Sequence, residues 1–252
     1  MVRAKKHLGQ HFLTDRNIAS KIADLIPNER IAVLEIGPGT GILTSFLVKR
    51  PNPLTVIEVD DESIAHLKTM FPHNEAEIIH GDFLSFNITT HFPDEVAIIG
   101  NFPYNISSQI LFSLLQHKSK IPFACGMFQK EVAERIIAPH GNKQYGILSV
   151  LIQTWYHTKY MFTVEPGVFS PPPKVRSGML QLTKKHDDMI PDVDPSLFKK
   201  LVKTAFNQRR KMLSNALSVL QKPIPAEFSK LRAEQLSVQN FHQLYQQVFE
   251  TP

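Results

Sequence analysis

"IAVLEIGPGTG", residues 31–41, joins two kinds of chain. Its first part is short and apolar, rich in branched side chains, and suits a buried strand. The second has glycine at 37, 39 and 41 and can extend neither a strand nor a helix. The helical pattern "ILTSFLVKR" follows. A strand, a glycine loop and a helix in that order open a parallel α/β sheet, and the glycines let the backbone approach a ligand at the strand's carboxyl end. Alone, such a loop can also be a simple tight turn.

The same alternation continues outward from it. "LTVIEVD" (54–60), "AEIIHGDF" (76–83) and "EVAIIGN" (95–101) read as strands, with "DESIAHLKTMF" and "ISSQILFSLLQHK" as helices after the second and fourth. "FACGMFQ" and the amphipathic "KEVAERIIA" come next. This order predicts a Rossmann-like doubly wound sheet covered on both faces. "TKYMFTVEP" and "GMLQLTKK" lack an intervening helix and are expected to close the sheet with an antiparallel edge. Upstream, Ile18, Ile22, Leu25 and Ile26 have helical spacing after Thr14 or Asp15 as cap. Downstream, "KKHDDMIPDVDP" (184–195) reads as a linker. The expected division is therefore a sheet domain over 1–187 and a small helical domain over 188–252.

Composition narrows the classes of function. With 252 residues, 42% of them hydrophobic, the chain can bury a sizeable core. No apolar run approaches a membrane span, and "MVRAKKHLGQHF" lacks the apolar middle of a signal peptide. A single cysteine, Cys125, fits a reducing, cytoplasmic setting. The eleven histidines have no metal-ligand spacing, so no metal is expected. A net charge of +5 permits an anionic partner.

Chemistry concentrates at the strand ends. Glu58 ends the second strand; a carboxylate there accepts both hydroxyls of a ribose, whether of a dinucleotide or of S-adenosylmethionine. Its bland alternative is one solvated acid among Asp60, Asp61 and Glu62. Asp82 ends the third strand and could accept from an adenine amino group; its alternative is a turn cap. Nicotinamide enzymes do not need this second acid. The fourth strand runs into Asn101-Phe102-Pro103-Tyr104. An adenine amino nitrogen is a poor nucleophile because its lone pair is delocalised into the ring. Two acceptors on its hydrogens, the Asn101 side-chain oxygen and the Phe102 carbonyl, would draw it toward tetrahedral geometry. Pro103 holds Phe102 extended and denies its carbonyl to a helix. Tyr104 offers a stacking face to a base taken out of its helix. A plain strand-to-helix turn does not account for this combination.

The chain resembles the ribosomal RNA adenine dimethyltransferases of the kasugamycin-sensitivity type, which modify small-subunit rRNA. The resemblance runs through "HLGQHFL" (7–13), "EIGPGTG" (35–41), "IEVD" (57–60), "GDFL" (81–84), "NFPYNISS" (101–108), "FSPPPKVRS" (169–177), "FNQRRKML" (206–213) and "LRAEQLS" (231–237). It implies S-adenosylmethionine as cofactor and N6 dimethylation of two adjacent adenosines in the 3′-terminal hairpin of 16S rRNA, by a cytoplasmic, monomeric enzyme of ribosome biogenesis. It carries cofactor contacts onto His11, Leu13, Gly37, Gly39, Glu58, Asp82 and Asn101. It places Phe169 against the target base, although a core phenylalanine is the alternative there. Phe102 stands where leucine is usual, and Arg176 where an acid is common. The neighbouring 23S rRNA dimethylases share Asn-x-Pro-Tyr, and a binding factor that monitors ribosome assembly is a reading from another class.

The C-terminal segment supplies the candidate RNA face. Wound as one helix, 198–220 puts Phe198, Leu201, Val202, Ala205 and Phe206 on one side and Lys199, Lys200, Lys203, Arg210 and Lys211 largely on the other. Arg209 would fall on the apolar stripe, so a break near Asn207-Gln208 is expected. Lys203, Arg210 and Lys211, with Lys5 and Lys6 near the N-terminus, are the expected RNA contacts.

Overall fold

In the computed structural model, residues 2–27 and 30–249 are described. The strands are β1 (Phe12–Leu13), β2 (Ala32–Ile36), β3 (Leu54–Glu58), β4 (Glu77–His80), β5 (Val96–Asn101), β6 (Phe123–Gln129), β7 (Tyr156–Val164), β8 (Phe169–Ser170) and β9 (Ser177–Lys184). Seven of them form one sheet in the order β4-β3-β2-β5-β6-β9-β7. The pairs among β4, β3, β2, β5 and β6 are parallel, and β9 is antiparallel to β6. The expected parallel sheet with an antiparallel edge is therefore present.

The central strands are apolar without alternation because both faces are covered. Every residue of β3, and Val96–Gly100 of β5, is buried. The edge strand β4 is only half-buried. Strand order reverses between β2 and β5: β3 and β4 lie on one side, β6 on the other. Ligands of open α/β sheets bind at such a reversal. The glycine loop after β2 and the turn after β5 sit there side by side.

Asp15 caps the helix Arg16–Ala23 by accepting from Asn17 and Ile18 N–H, as the cap reading expects. A two-stranded ribbon was not foreseen: β1 pairs antiparallel with β8, Phe12 opposite Ser170 and Leu13 opposite Phe169. It brings the N-terminal segment to the start of "FSPPPKVRS".

The chain forms two compact units, the first of residues up to Ala133 with Lys159–Lys184, the second of Glu134–Thr158 with residues from Lys185 on. This grouping differs from a simple division at 187/188, because residues 134–158 join the C-terminal segment. The helix Ile147–Trp155 in that stretch is buried nearly all round. Within the second unit, Trp155 meets Phe198 edge-on at 5.9 Å, and Tyr145 meets Phe206 at 6.0 Å.

Candidate functional site

The cleft at the sheet's reversal point is lined by Leu8–Phe12, Gly37, Gly39, Glu58, Val59 and Asn101–Tyr104. Glycine is required in its loop: Gly37 has φ +66° and Gly39 φ +56°, and a Cβ on Gly39 would stand 2.7 Å from the Phe12 ring. Glu58 ends β3 with its side chain buried. One carboxylate oxygen accepts from Gly39 N–H at 3.0 Å, the other from Val59 N–H at 2.9 Å and Asp60 N–H at 3.1 Å. Burial pushes its pKa upward, and these three amides work against that rise.

One residue of this group escaped the sequence reading. Glu35, the next-to-last residue of β2, is 1% exposed and accepts from the Thr44 hydroxyl at 2.7 Å. Burial raises its pKa to about 8; the Thr44 hydrogen bond opposes the rise and the Glu58 charge adds to it. The pair ties β2 to the helix Thr44–Leu47 beneath the glycine loop. An acid inside an apolar run was the available signal.

The turn after β5 brings the reactive candidates together. Asn101 Nδ2 donates to the His11 carbonyl at 2.8 Å, which leaves Oδ1 as the side chain's remaining acceptor. Phe102 is 1% exposed as a whole, with its ring buried, and it borders the cleft. Tyr104 and Ser177 share a hydroxyl–hydroxyl hydrogen bond of 2.5 Å, and the Tyr104 ring lies 5.5 Å from that of His11. His11 in turn is fixed by Nδ1 against the Pro171 carbonyl at 2.8 Å. A second, wider groove of about 600 Å³ adjoins, lined by Lys6, Gly9, Gln10, His11, Tyr104, Gln129 and Pro171–Val175. His11 and Tyr104 thus line both hollows.

Four expected positions are placed differently. Phe169 is 4% exposed and belongs to the hydrophobic core with Leu13, as the core alternative expects. Leu13 is buried in the same core and does not line the cleft. Asp82 is exposed, does not line the cleft, and accepts from Leu84 N–H at 2.9 Å as a turn cap. Lys5 is paired with Asp60 and lies 3.6 Å from Glu62, so two carboxylates hold the charge expected on RNA. Lys6 is exposed and lines the wider groove. Among the described residues no group of three or more His, Cys, Asp or Glu could hold a metal. No described helix is long and apolar enough to cross a membrane.

In the second unit the helix Pro195–Asn207 ends where a break was expected, with Gln208 at φ −120°, ψ 50°. Arg209 also has partners: Nη2 donates to the Lys143 carbonyl at 2.8 Å, and Nε lies 3.8 Å from Glu234. Arg210 and Lys211 are exposed just past the break, and Lys203 is exposed on the helix.

Residues 1–249 match the family model described as ribosomal RNA adenine dimethylase. A protein of Cytophaga hutchinsonii named ribosomal RNA small subunit methyltransferase A is 51% identical, over 96% of this chain and 96% of its own. A dimethyladenosine transferase from Plasmodium falciparum superposes with TM-score 0.79 at 27% identity, covering 93% of this chain and 96% of that one. The 23S rRNA methyltransferase ErmE superposes with TM-score 0.72 at 24% identity over 94% of this chain and 100% of its own, a likeness of fold alone. Matched by that family model along nearly its whole length, and half identical to such a relative, the chain belongs to the ribosomal RNA adenine dimethylase family.

Proposed function

We propose that this chain dimethylates N6 of two adjacent adenosines in the 3′-terminal hairpin of 16S rRNA, using S-adenosylmethionine, during assembly of the small ribosomal subunit. The observation that carries the reading is the Asn101–Tyr104 turn. It lines the same cleft as Gly37, Gly39 and Glu58, while Tyr104 also lines the wider groove beside it. A cofactor in the first hollow and a base in the second would meet at that turn. The relative named for the small subunit, half identical along nearly its whole length, supports the choice of rRNA.

The residues of the cleft fit S-adenosylmethionine. A Cβ on Gly37 would come no closer than 3.7 Å to the Pro103 ring, so the glycine leaves room for a ligand against the backbone. The Glu58 carboxylate can accept from both ribose hydroxyls, and His11 closes the cleft beside Asn101. Asp82, one strand further out, keeps Oδ2 beside its turn cap as an acceptor for the adenine amino group. Bound there, S-adenosylmethionine supplies a methyl group made electrophilic by its sulfonium sulfur.

The protein's own groups prepare the amine. Asn101 Oδ1 and the Phe102 carbonyl accept its two hydrogens; no turn or cap hydrogen bond of the described residues occupies that carbonyl. With both hydrogens held, the nitrogen lone pair leaves conjugation with the ring and points at the methyl carbon. Tyr104, its hydroxyl tied to Ser177, presents a fixed ring for the base to stack on. Burial keeps the Tyr104 phenol above its ordinary pKa, which makes it no base at neutral pH. The proton released by the methylated amine passes to water. Arg210 and Lys211, with Lys203 and Lys6, contact RNA phosphates.

A factor that only bound the subunit would have no use for a pair of acceptors at the end of β5. Labelled methyl transfer to unmethylated small subunits, with the modified nucleotides mapped, tests the proposal. It expects two methyls on each of two neighbouring adenosines of 16S rRNA. Label elsewhere on the 16S rRNA, or none, would refute it.

A further inference from the structure

Gly100 and Gly126 are register partners on the neighbouring parallel strands β5 and β6. Both lack a Cβ on the same side, and the Phe102 ring folds back over the flat floor they make. A Cβ on Gly126 would stand 2.0 Å from Cε2, 2.5 Å from Cδ2 and 2.7 Å from Cζ of that ring. One on Gly100 would stand 2.9 Å from Cε1 and 2.5 Å from the Ile36 carbonyl of β2. Phe128, two residues beyond Gly126, closes one wall edge-on at 5.2 Å and 75°. The ring is 1% exposed and cannot touch a ligand.

What the ring can do is fix the backbone that carries it. Phe102 follows the last paired residue of β5 and precedes a proline, so neither a ladder beyond Asn101 nor a helix locks its carbonyl. The anchor is the side chain in its socket, and the floor is backbone of a central sheet that cannot yield. We propose that Gly126 is a positioning residue for methyl transfer: by leaving space for the Phe102 ring, it sets where the Phe102 carbonyl and the adjoining Asn101 side chain stand. Gly126 lines neither the cleft nor the groove and acts only through Phe102. The inference rests on the amine-activation reading given under Proposed function.

The test is a double-mutant cycle read in single-turnover methyl transfer at saturating RNA and cofactor, with calorimetric cofactor affinity and thermal melting alongside. Asn101→Ala, measured alongside, reports on the amine-activation reading independently of the Gly126 and Phe102 variants. Gly126→Ala should lower the rate by about tenfold or more, since small displacements of reacting groups cost that much, while cofactor affinity stays within about threefold. Phe102→Leu removes Cε2 and Cζ, lets the remaining Cδ atoms turn away from Gly126 about the Cβ–Cγ bond, and should lower the rate only a few-fold. Adding Phe102→Leu to Gly126→Ala should then bring the rate back near that of Phe102→Leu alone, a rescue that general destabilisation would not produce. Gly126→Ala at the wild-type rate, or a double variant no faster than Gly126→Ala, would overturn the inference. Should Gly126→Ala not fold, a folded double variant as active as Phe102→Leu supports the socket, and a double variant that fails to fold or to react overturns it.

Discussion

Replacing Glu58 by alanine should weaken S-adenosylmethionine binding by about 1–3 kcal/mol, as for loss of hydrogen bonds to a charged acceptor. A carboxylate offers roughly four lone-pair directions. Three backbone amides, of Gly39, Val59 and Asp60, already use part of that capacity. Two ribose hydroxyls would compete for the remainder, so the loss should stay below the full value of two independent charged bonds. In affinity it corresponds to roughly 5- to 150-fold, at 1.4 kcal/mol for each tenfold. Glu58→Gln should fall between wild type and alanine, because its amide oxygen keeps some of the acceptor capacity and its NH₂ keeps none. Relief of the buried charge partly offsets the three orphaned amides, so the alanine variant should remain folded; circular dichroism checks that. Isothermal calorimetry then reads the dissociation constant. Wild-type affinity in a folded Glu58→Ala protein would remove Glu58 from the cofactor site.

Two further outcomes follow from charge. Glu35 holds its proton up to about pH 8 in the folded state, whereas an unfolded glutamate releases it near 4.3. Its contribution to stability is therefore complete below the unfolded value and is lost as pH rises through about 8. Urea titrations from about pH 5 to 8 should show wild type losing up to ~1.4 kcal/mol per pH unit relative to Glu35→Gln; parallel pH profiles would mean that Glu35 titrates normally. Arg210→Ala with Lys211→Ala should weaken binding to the rRNA hairpin or subunit and flatten the log–log salt slope by roughly 0.7–0.9 per lost phosphate contact, leaving cofactor affinity intact. An unchanged slope across about 50–200 mM salt would make both residues merely solvated surface.

The parts of this fold that announce themselves in sequence do so by local chemistry. Gly37, Gly39 and Gly41 mark a loop of positive φ, and Glu58 and Asn101 mark strand ends, because acids and amides rarely sit inside apolar runs unless something uses them. Asn207-Gln208 marked the helix break for the related reason that an arginine cannot continue an apolar stripe. The ribbon between Phe12–Leu13 and Phe169–Ser170 had no such mark: two residues carry no periodicity, and their partners lie far apart along the chain. The helix Ile147–Trp155 is buried on nearly every side, so it lacks the polar face that identifies a helix. Lys5 looked like an RNA contact because sequence shows its charge and not the facing Asp60. Phe169 reads in sequence as either a stacking or a core aromatic, because sequence does not say how deeply a ring is buried. Gly126 was silent altogether, since what a glycine makes room for appears only with the neighbouring strand in place.

The central claim is that the end of β5 activates an adenine amine. Single-turnover methyl transfer by Asn101→Ala, at saturating RNA and cofactor, tests it most directly. Removing one of the two acceptors should lower the rate by about a hundredfold or more, in the range known for loss of one preorganised transition-state group, while RNA affinity changes little. Some loss of cofactor affinity is expected too, because Asn101 lines the cofactor cleft. A rate within a few-fold of wild type would contradict the account.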